Sequence, residues 1–219
     1  MISKYYEINK HKDKINFYLF YGENEGLKLD TIKANFNNFT KENTYKYSEK
    51  DIIQNKQLIF EKIYSRSFFE NEKLILISDI TEKSFEFIEE VKNSNISDVI
   101  IILLANKLEK KSKIRNFFEK DKEILIIPFY EDTVQTLITI GKKILNDNKV
   151  NLSQENLNLI IERCQGNRIN LRNELEKILS LSKNKKKLDL NDILKLTNLS
   201  ENYSASELVD SCLCKNKKK

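Results

Sequence analysis

Tryptophan is absent from this chain of 219 residues, which has only one proline, one histidine, one methionine, three cysteines and four glycines. Each scarcity excludes something. A structural zinc site takes about four Cys or His ligands. His11, Cys164, Cys212 and Cys214 contain no C-x-x-C pair, only the C-x-C at 212 and 214, so the chain alone does not build such a site. His11 lies in the charged stretch "EINKHKDK" with no nucleophile signature nearby. That argues against Ser-His-Asp or Cys-His catalysis and makes His11 a surface residue. No apolar run approaches the ~18 residues needed to span a bilayer. The opening "MISKYYEINKHKDK" lacks the apolar segment of a signal peptide. A cytoplasmic protein without membrane contact is expected.

Arginine is also scarce: Arg66, Arg115, Arg163, Arg168 and Arg172 are the only five among 38 basic side chains. The formal charge is +5, but four lysines stand in the closing "KNKKK", which leaves 34 basic against 33 acidic residues. Charge alone therefore does not mark a nucleic-acid-binding protein. The lysines read as a solvated face.

What is present is a rhythm. "INFYLFYG", "TYKYS", "KLILISDI", "DVIIILLAN" and "KEILIIPF" are short apolar or aromatic runs, hence strands. Between them, helical spacing appears in "GLKLDTIKANFNNF", "DIIQNKQLIFEKIYS" (Asp51 as its cap), "EKSFEFIEEVKNS" and "KLEKKSKIRNFFEKD". Strands that are apolar throughout are buried on both faces, and regular alternation with helices gives a parallel sheet covered on both sides. After Pro128 no strand-like run remains. Helices are expected over 131–148, 153–165 (capped by Ser153, ended by Gly166), 168–182, 189–198 and 204–213. The architecture is an α/β domain over 1–140 and a helical domain over 141–200.

The stretch "FYGENEGLKL" sits where a strand, a glycine turn and a helix would form a phosphate-binding loop. The pattern G-x-x-x-x-G-K-[ST], counted from Gly22, needs glycine at 27, lysine at 28 and a hydroxyl at 29. Leu27, Lys28 and Leu29 keep only the lysine. A leucine at 27 crowds the backbone, and a leucine at 29 removes a magnesium ligand. Glu23 and Glu25 put negative charge beside a triphosphate. Asp79 in "ISDI" has no second acid after it. The domain is expected to have the shape of a nucleotide-binding fold, with nucleotide binding disfavoured by these substitutions and ATP not hydrolysed.

"YSRSFFENEKLILI" places Phe68 and Phe69 side by side at a polar junction. Residue type leaves two readings open: they close the edge of the core, or they serve something outside the chain.

Four stretches in order, "FYLFYGENEGLK", "SRSFFENEKLILI", "LEKKSKIRNFFEK" and "GNRINLRNELEKI", resemble the delta subunit of the bacterial DNA polymerase III clamp loader. The likeness implies an α/β fold with an AAA+-like (RecA-like) parallel sheet flanked by helices, followed by a small all-α lid. It implies a part in the polymerase holoenzyme with no intrinsic catalysis, no cofactor and no metal. It implies binding to the sliding clamp (the beta subunit), favouring the open ring for loading onto primed DNA. Phe68 and Phe69 match the family's adjacent apolar pair, which enters a pocket on the clamp. Arg66, Ser67, Glu70 and Asn71 would form their polar rim. Gly22, Leu27, Lys28 and Leu29 become a degenerate phosphate loop. In catalytic relatives a lid arginine senses phosphate. Arg168 and Arg172 stand in that segment, either solvated or paired with Glu174 or Glu176. The family's third, collar domain joins gamma/tau and delta-prime subunits. Here 201–219 is expected to be only its start, in a fragment or a natural truncation. DNA contact is expected to be indirect or weak. The rivals are an active AAA+-type ATPase, a lysine-rich DNA-binding module, and a delta-prime-like subunit. The last lacks its zinc cysteines here, and Ser65–Arg66 is followed by Ser67 rather than cysteine.

Overall fold

The computed structural model describes residues 1–65, 72–94, 96 and 98–183. Five strands, β1 (Phe17–Tyr21), β2 (Thr44–Ser48), β3 (Lys73–Ser78), β4 (Val99–Ala105) and β5 (Leu125–Pro128), form one sheet. Its order is β2-β3-β4-β1-β5, and every pairing is parallel. The helices between them are α1 (Glu25–Asn35), α2 (Glu49–Tyr64), α3 (Phe85–Asn93) and α4 (Lys113–Lys120).

Strand β1 shows why this sheet lies between two layers. All five of its residues are buried. Phe17, Leu19 and Tyr21 point into a core with Ile59 of α2, Phe87 of α3 and Phe118 of α4. Tyr18 and Phe20 point the other way, into a core with Ile8, Ile32 of α1, Phe36 and Phe129. The two-residue period of the strand thus divides one apolar run between two cores. Each fully buried large apolar side chain contributes ~1.5–3 kcal/mol. The Tyr18 hydroxyl donates to the Ile15 carbonyl at 2.5 Å, and its burial pushes its pKa above the usual phenol range.

Several helix starts differ from those expected from sequence. Helix α2 begins at Glu49, capped by Ser48, and Asp51 is the third residue of a capping box. The Ser48 amide donates to Asp51 Oδ2 at 2.7 Å. Helix α4 begins only at Lys113, because the Ser112 hydroxyl accepts from the Arg115 amide and stops the helix there. Residues 107–111, which read as helical in the sequence, precede it.

The chain divides into two compact units, the first Met1–Glu131 and the second beginning at Asp132. In the second, α5 (Val134–Asp147), α6 (Gln154–Arg163) and α7 (Arg168–Ser182) surround Leu137, Leu157, Ile160, Leu171 and Leu175. Ser153 caps α6 as expected. Gly166 follows α6 with φ 77°, a conformation glycine adopts without strain. The helices expected over 189–198 and 204–213 lie outside the described residues. Among the described residues, no helix is long and apolar enough to cross a membrane.

Candidate functional site

The strand order reverses between β4 and β1, and the crevice at the carboxyl ends of such strands is where doubly wound sheets hold ligands. Gly22 stands there, one residue beyond β1. Its φ is 125°, and a Cβ on it would lie 2.1 Å from the Phe129 carbonyl oxygen. Only glycine fits this turn. Its amide donates to the Ala105 and Asn106 carbonyls at 3.3 and 3.2 Å, tying β1 to the end of β4.

The turn then closes in three residues. Asn24 caps α1, with its Oδ1 accepting from the Leu27 amide at 3.0 Å and its Nδ2 donating to the Tyr130 carbonyl at 2.9 Å. The Glu25 amide donates to Glu23 O, and the Lys28 amide to Asn24 O. A phosphate-binding loop keeps such amides free to face its anion. Here the amides of 25, 27 and 28 all donate within the chain. Leu27 is helical, as its spacing in "GLKLDTIKANFNNF" predicts. It occupies the first turn of α1, half-buried against the core. Leu29 is exposed on the same helix.

Lys28 is fully buried. Its Nζ donates to the Ala105 carbonyl at 2.8 Å and to Glu25 Oε1 at 2.6 Å. A buried ammonium without acceptors is strongly unfavourable, and this one has a strand-end carbonyl and a carboxylate. On the other face of the sheet, burial pushes the Tyr21 hydroxyl above the ordinary phenol range, against the pull of Arg115, whose guanidinium lies 5.2 Å from the ring. Arg115 is itself held by Glu119 Oε1 at 2.7 Å.

Asp79 follows β3 with φ 61°, exposed, its Oδ2 accepting from Ser78 Oγ at 3.0 Å. It lines a cavity of about 750 Å³ with Glu82, Lys83, Phe85, Lys107 and Leu108. The next residue, Ile80, is buried core.

In the second unit Arg168 is buried and makes a forked pair with Asp132, Nε to Oδ2 at 2.7 Å and Nη2 to Oδ1 at 2.5 Å. The partners expected from helical spacing are Glu174 and Glu176. Glu174 instead accepts from Lys177 at 2.6 Å. Sequence spacing misses Asp132 because 36 residues separate it from Arg168.

Arg66, Ser67, Phe68, Phe69, Glu70 and Asn71 lie outside the described residues. Their two flanks are described. Helix α2 ends at Tyr64 with Ser65 as its cap, and β3 starts at Lys73. The buried Lys73 ammonium donates to the Ser65 hydroxyl at 3.0 Å and also to the Ser65 carbonyl. The two ends of the segment are thereby fastened to each other.

No protein-family model matches the sequence, and no curated protein does. Solved structures do. The DNA clamp loader delta protein (YqeN) of Bacillus subtilis aligns with 88% of this chain at 14% identity and a TM-score of 0.53. Domain III of the replication initiation protein DnaA from Thermotoga maritima aligns with 89% at 18% identity and a TM-score of 0.55. The Holliday junction branch migration motor RuvB of the same organism aligns with 88% at 15% identity and a TM-score of 0.58. The chain spans 62% of the delta protein, 88% of the DnaA domain and 65% of RuvB. At these identities the likeness is one of fold: a five-stranded parallel sheet flanked by helices with a helical region after it, the AAA+ architecture.

Proposed function

We propose that this chain is a delta-type subunit of a sliding-clamp loader: a cytoplasmic AAA+ protein that docks on the clamp, favours its open ring for loading onto primed DNA, and leaves ATP hydrolysis to other subunits. The observation that carries the reading is buried Lys28. The lysine kept from the phosphate-loop pattern has its acceptors inside the chain, at Ala105 O and Glu25. The helix amides that would face a phosphate donate to Asn24 and Glu23. A site so occupied suits a subunit that retains the fold for assembly and has given up the nucleotide.

Clamp docking falls to Phe68 and Phe69, paired apolar anchors for a pocket on the ring, with Arg66, Ser67, Glu70 and Asn71 as their polar rim. The Lys73–Ser65 fastening supports this, because stems held together lower the entropy lost when the segment between them docks. Binding opens the ring to the extent that the open form is bound more tightly than the closed one. The reaction is conformational and needs no covalent chemistry. Gamma/tau and delta-prime subunits are the expected companions, and contact with DNA is indirect or weak.

Titrating the chain onto immobilised sliding clamp from the same organism tests this. Replacing both rings, Phe68→Ala with Phe69→Ala, should weaken binding by ~2 kcal/mol or more and leave the thermal midpoint unchanged. Unaltered affinity would refute the assignment. A double variant that unfolds would return the rings to the edge of the core.

A further inference from the structure

The cavity beside Asp79 opens past the carboxyl ends of β3 and β4, between the stretch 79–86 and the stretch 106–113. Its volume, about 750 Å³, is that of a small-ligand pocket. Both walls are fastened. Glu49, a buried carboxylate at the start of α2, accepts from the Thr81 amide at 2.8 Å and from the Ser84 hydroxyl at 2.7 Å. On the other wall the Arg115 guanidinium donates to the Leu108 carbonyl at 3.3 Å, and the Asn116 amide group to the Lys110 carbonyl at 3.0 Å. The Lys113 backbone amide donates across to Glu82 Oε2 at 3.2 Å and ties the walls together. A site held in this way is formed before any ligand arrives.

Three chemistries meet in it. Ile80, Phe85 and Leu108 supply apolar surface, and the Phe85 ring is steadied edge-to-face by Phe117 at 5.7 Å. Lys107 and Lys113 on one wall and Lys83 on the other have no acceptor for their ammonium groups among the described residues. Lys111, by contrast, is paired with Glu109 at 3.0 Å. The remaining carboxylates, Asp79, Glu82 and Glu86, all lie on the wall opposite Lys107 and Lys113.

We propose that this cavity holds one nucleotide unit, its base against Phe85 and its phosphate on Lys107 and Lys113. A nucleotide carries all three complementary features. Its base is a flat ring that stacks on an aromatic side chain. Its phosphate is an anion for the ammonium groups. The N–H groups on the base edge are donors for carboxylates, which can only accept. The opposing wall also limits how much negative charge can enter. Asp79, Glu82 and Glu86 repel additional phosphates, so one phosphate suits the site and a triphosphate does not. The unit is therefore a nucleoside monophosphate or one link of a single strand. Clamp docking plays no part in this assignment, and the two stand or fall separately.

Titrations with guanosine monophosphate and with a short single strand of mixed sequence, at one low salt concentration, test this. Binding of the monophosphate assigns the cavity to a free nucleotide. Binding of the strand alone assigns it to a phosphodiester link. In either case Lys107→Ala with Lys113→Ala should weaken binding about tenfold. Lys142→Ala with Lys143→Ala removes the same charge from exposed positions of α5 and should leave binding near that of the parent. Phe85→Leu keeps most of the apolar volume, removes the ring, and should weaken binding by about fivefold or more. If Phe85→Leu does not fold, the two lysine pairs decide by themselves. Failure of both probes to bind the parent, or equal losses from the two lysine pairs, overturns the proposal.

Discussion

Each compact unit buries a cation, and the two are neutralised differently. Lys28 is shared between a backbone carbonyl and Glu25, whose side chain is half exposed. Arg168 is gripped at two points by Asp132, and both side chains are almost completely buried, 8% and 4% exposed. The difference lies in what is left behind when the cation goes. Removal of Lys28 frees a carbonyl and a carboxylate that water already touches. Removal of Arg168 strips a buried carboxylate of its forked ion pair, and breaking a buried pair from one side is the costlier loss. The first arrangement can be undone at small structural cost. The second is a structural bolt.

The largest effect should come from breaking that bolt. Arg168→Met should destabilise the helical unit by ~3–5 kcal/mol, read as a fall in the urea midpoint. Cys164 offers a local reporter. It is fully buried in the same core, and burial pushes its thiol up to about 11. Its thiolate, the reactive form, is therefore scarce at pH 8 in the folded unit. Alkylation at Cys164 should be slow in the parent chain and much faster in Arg168→Met. Equal rates would mean that the Asp132 pair does not hold the unit closed.

Next is Gly22→Ala, which attacks the turn in front of Lys28. The added Cβ would meet the Phe129 carbonyl at 2.1 Å, on a backbone at φ 125°. The atoms met are all backbone of Phe129, not a flexible side chain that can swing away. A loss of at least ~3 kcal/mol is expected, measured by the same denaturation. Gly166 is the control: its φ is also positive, at 77°, but the nearest atom to an added Cβ is 3.8 Å away. Gly166→Ala should cost only ~1 kcal/mol.

How much of this is legible in the sequence follows from the range of each interaction. The strands are legible because β1, β3, β4 and β5 are runs of apolar residues, and a sheet buried on both faces needs nothing else to mark it. Gly22 is legible as a turn, and Ser153 and Gly166 as helix ends, because caps are local. Asp51 is mistaken for a cap, since Ser48, three residues earlier, forms the same box with it and stands first. The start of α1 is legible to within one residue, since the helical spacing begins at Gly26 and the helix at Glu25; that Asn24 is its cap is not read from the sequence. The Lys28–Ala105 and Arg168–Asp132 contacts are not legible at all. They join residues 77 and 36 positions apart, through partners whose type is common throughout the chain.

The smallest effect is the most informative about function. Lys28→Met keeps most of the side chain's length and apolar volume and removes the charge. It leaves the Ala105 carbonyl with the Gly22 amide as its remaining partner, while Glu25 turns to solvent. The cost should be ~1.5–3 kcal/mol, that of a charged hydrogen-bond donor removed from acceptors that keep other partners. Where a lysine serves a phosphate loop, its loss abolishes nucleotide binding. Here calorimetric titration with ATP and magnesium should give no heat of binding in the parent or in the variant. The two proteins should then differ in stability alone. Saturable ATP binding by the parent that disappears in Lys28→Met would show that the ammonium leaves Glu25 for a phosphate, and the contrast between a plugged site and a structural bolt would collapse.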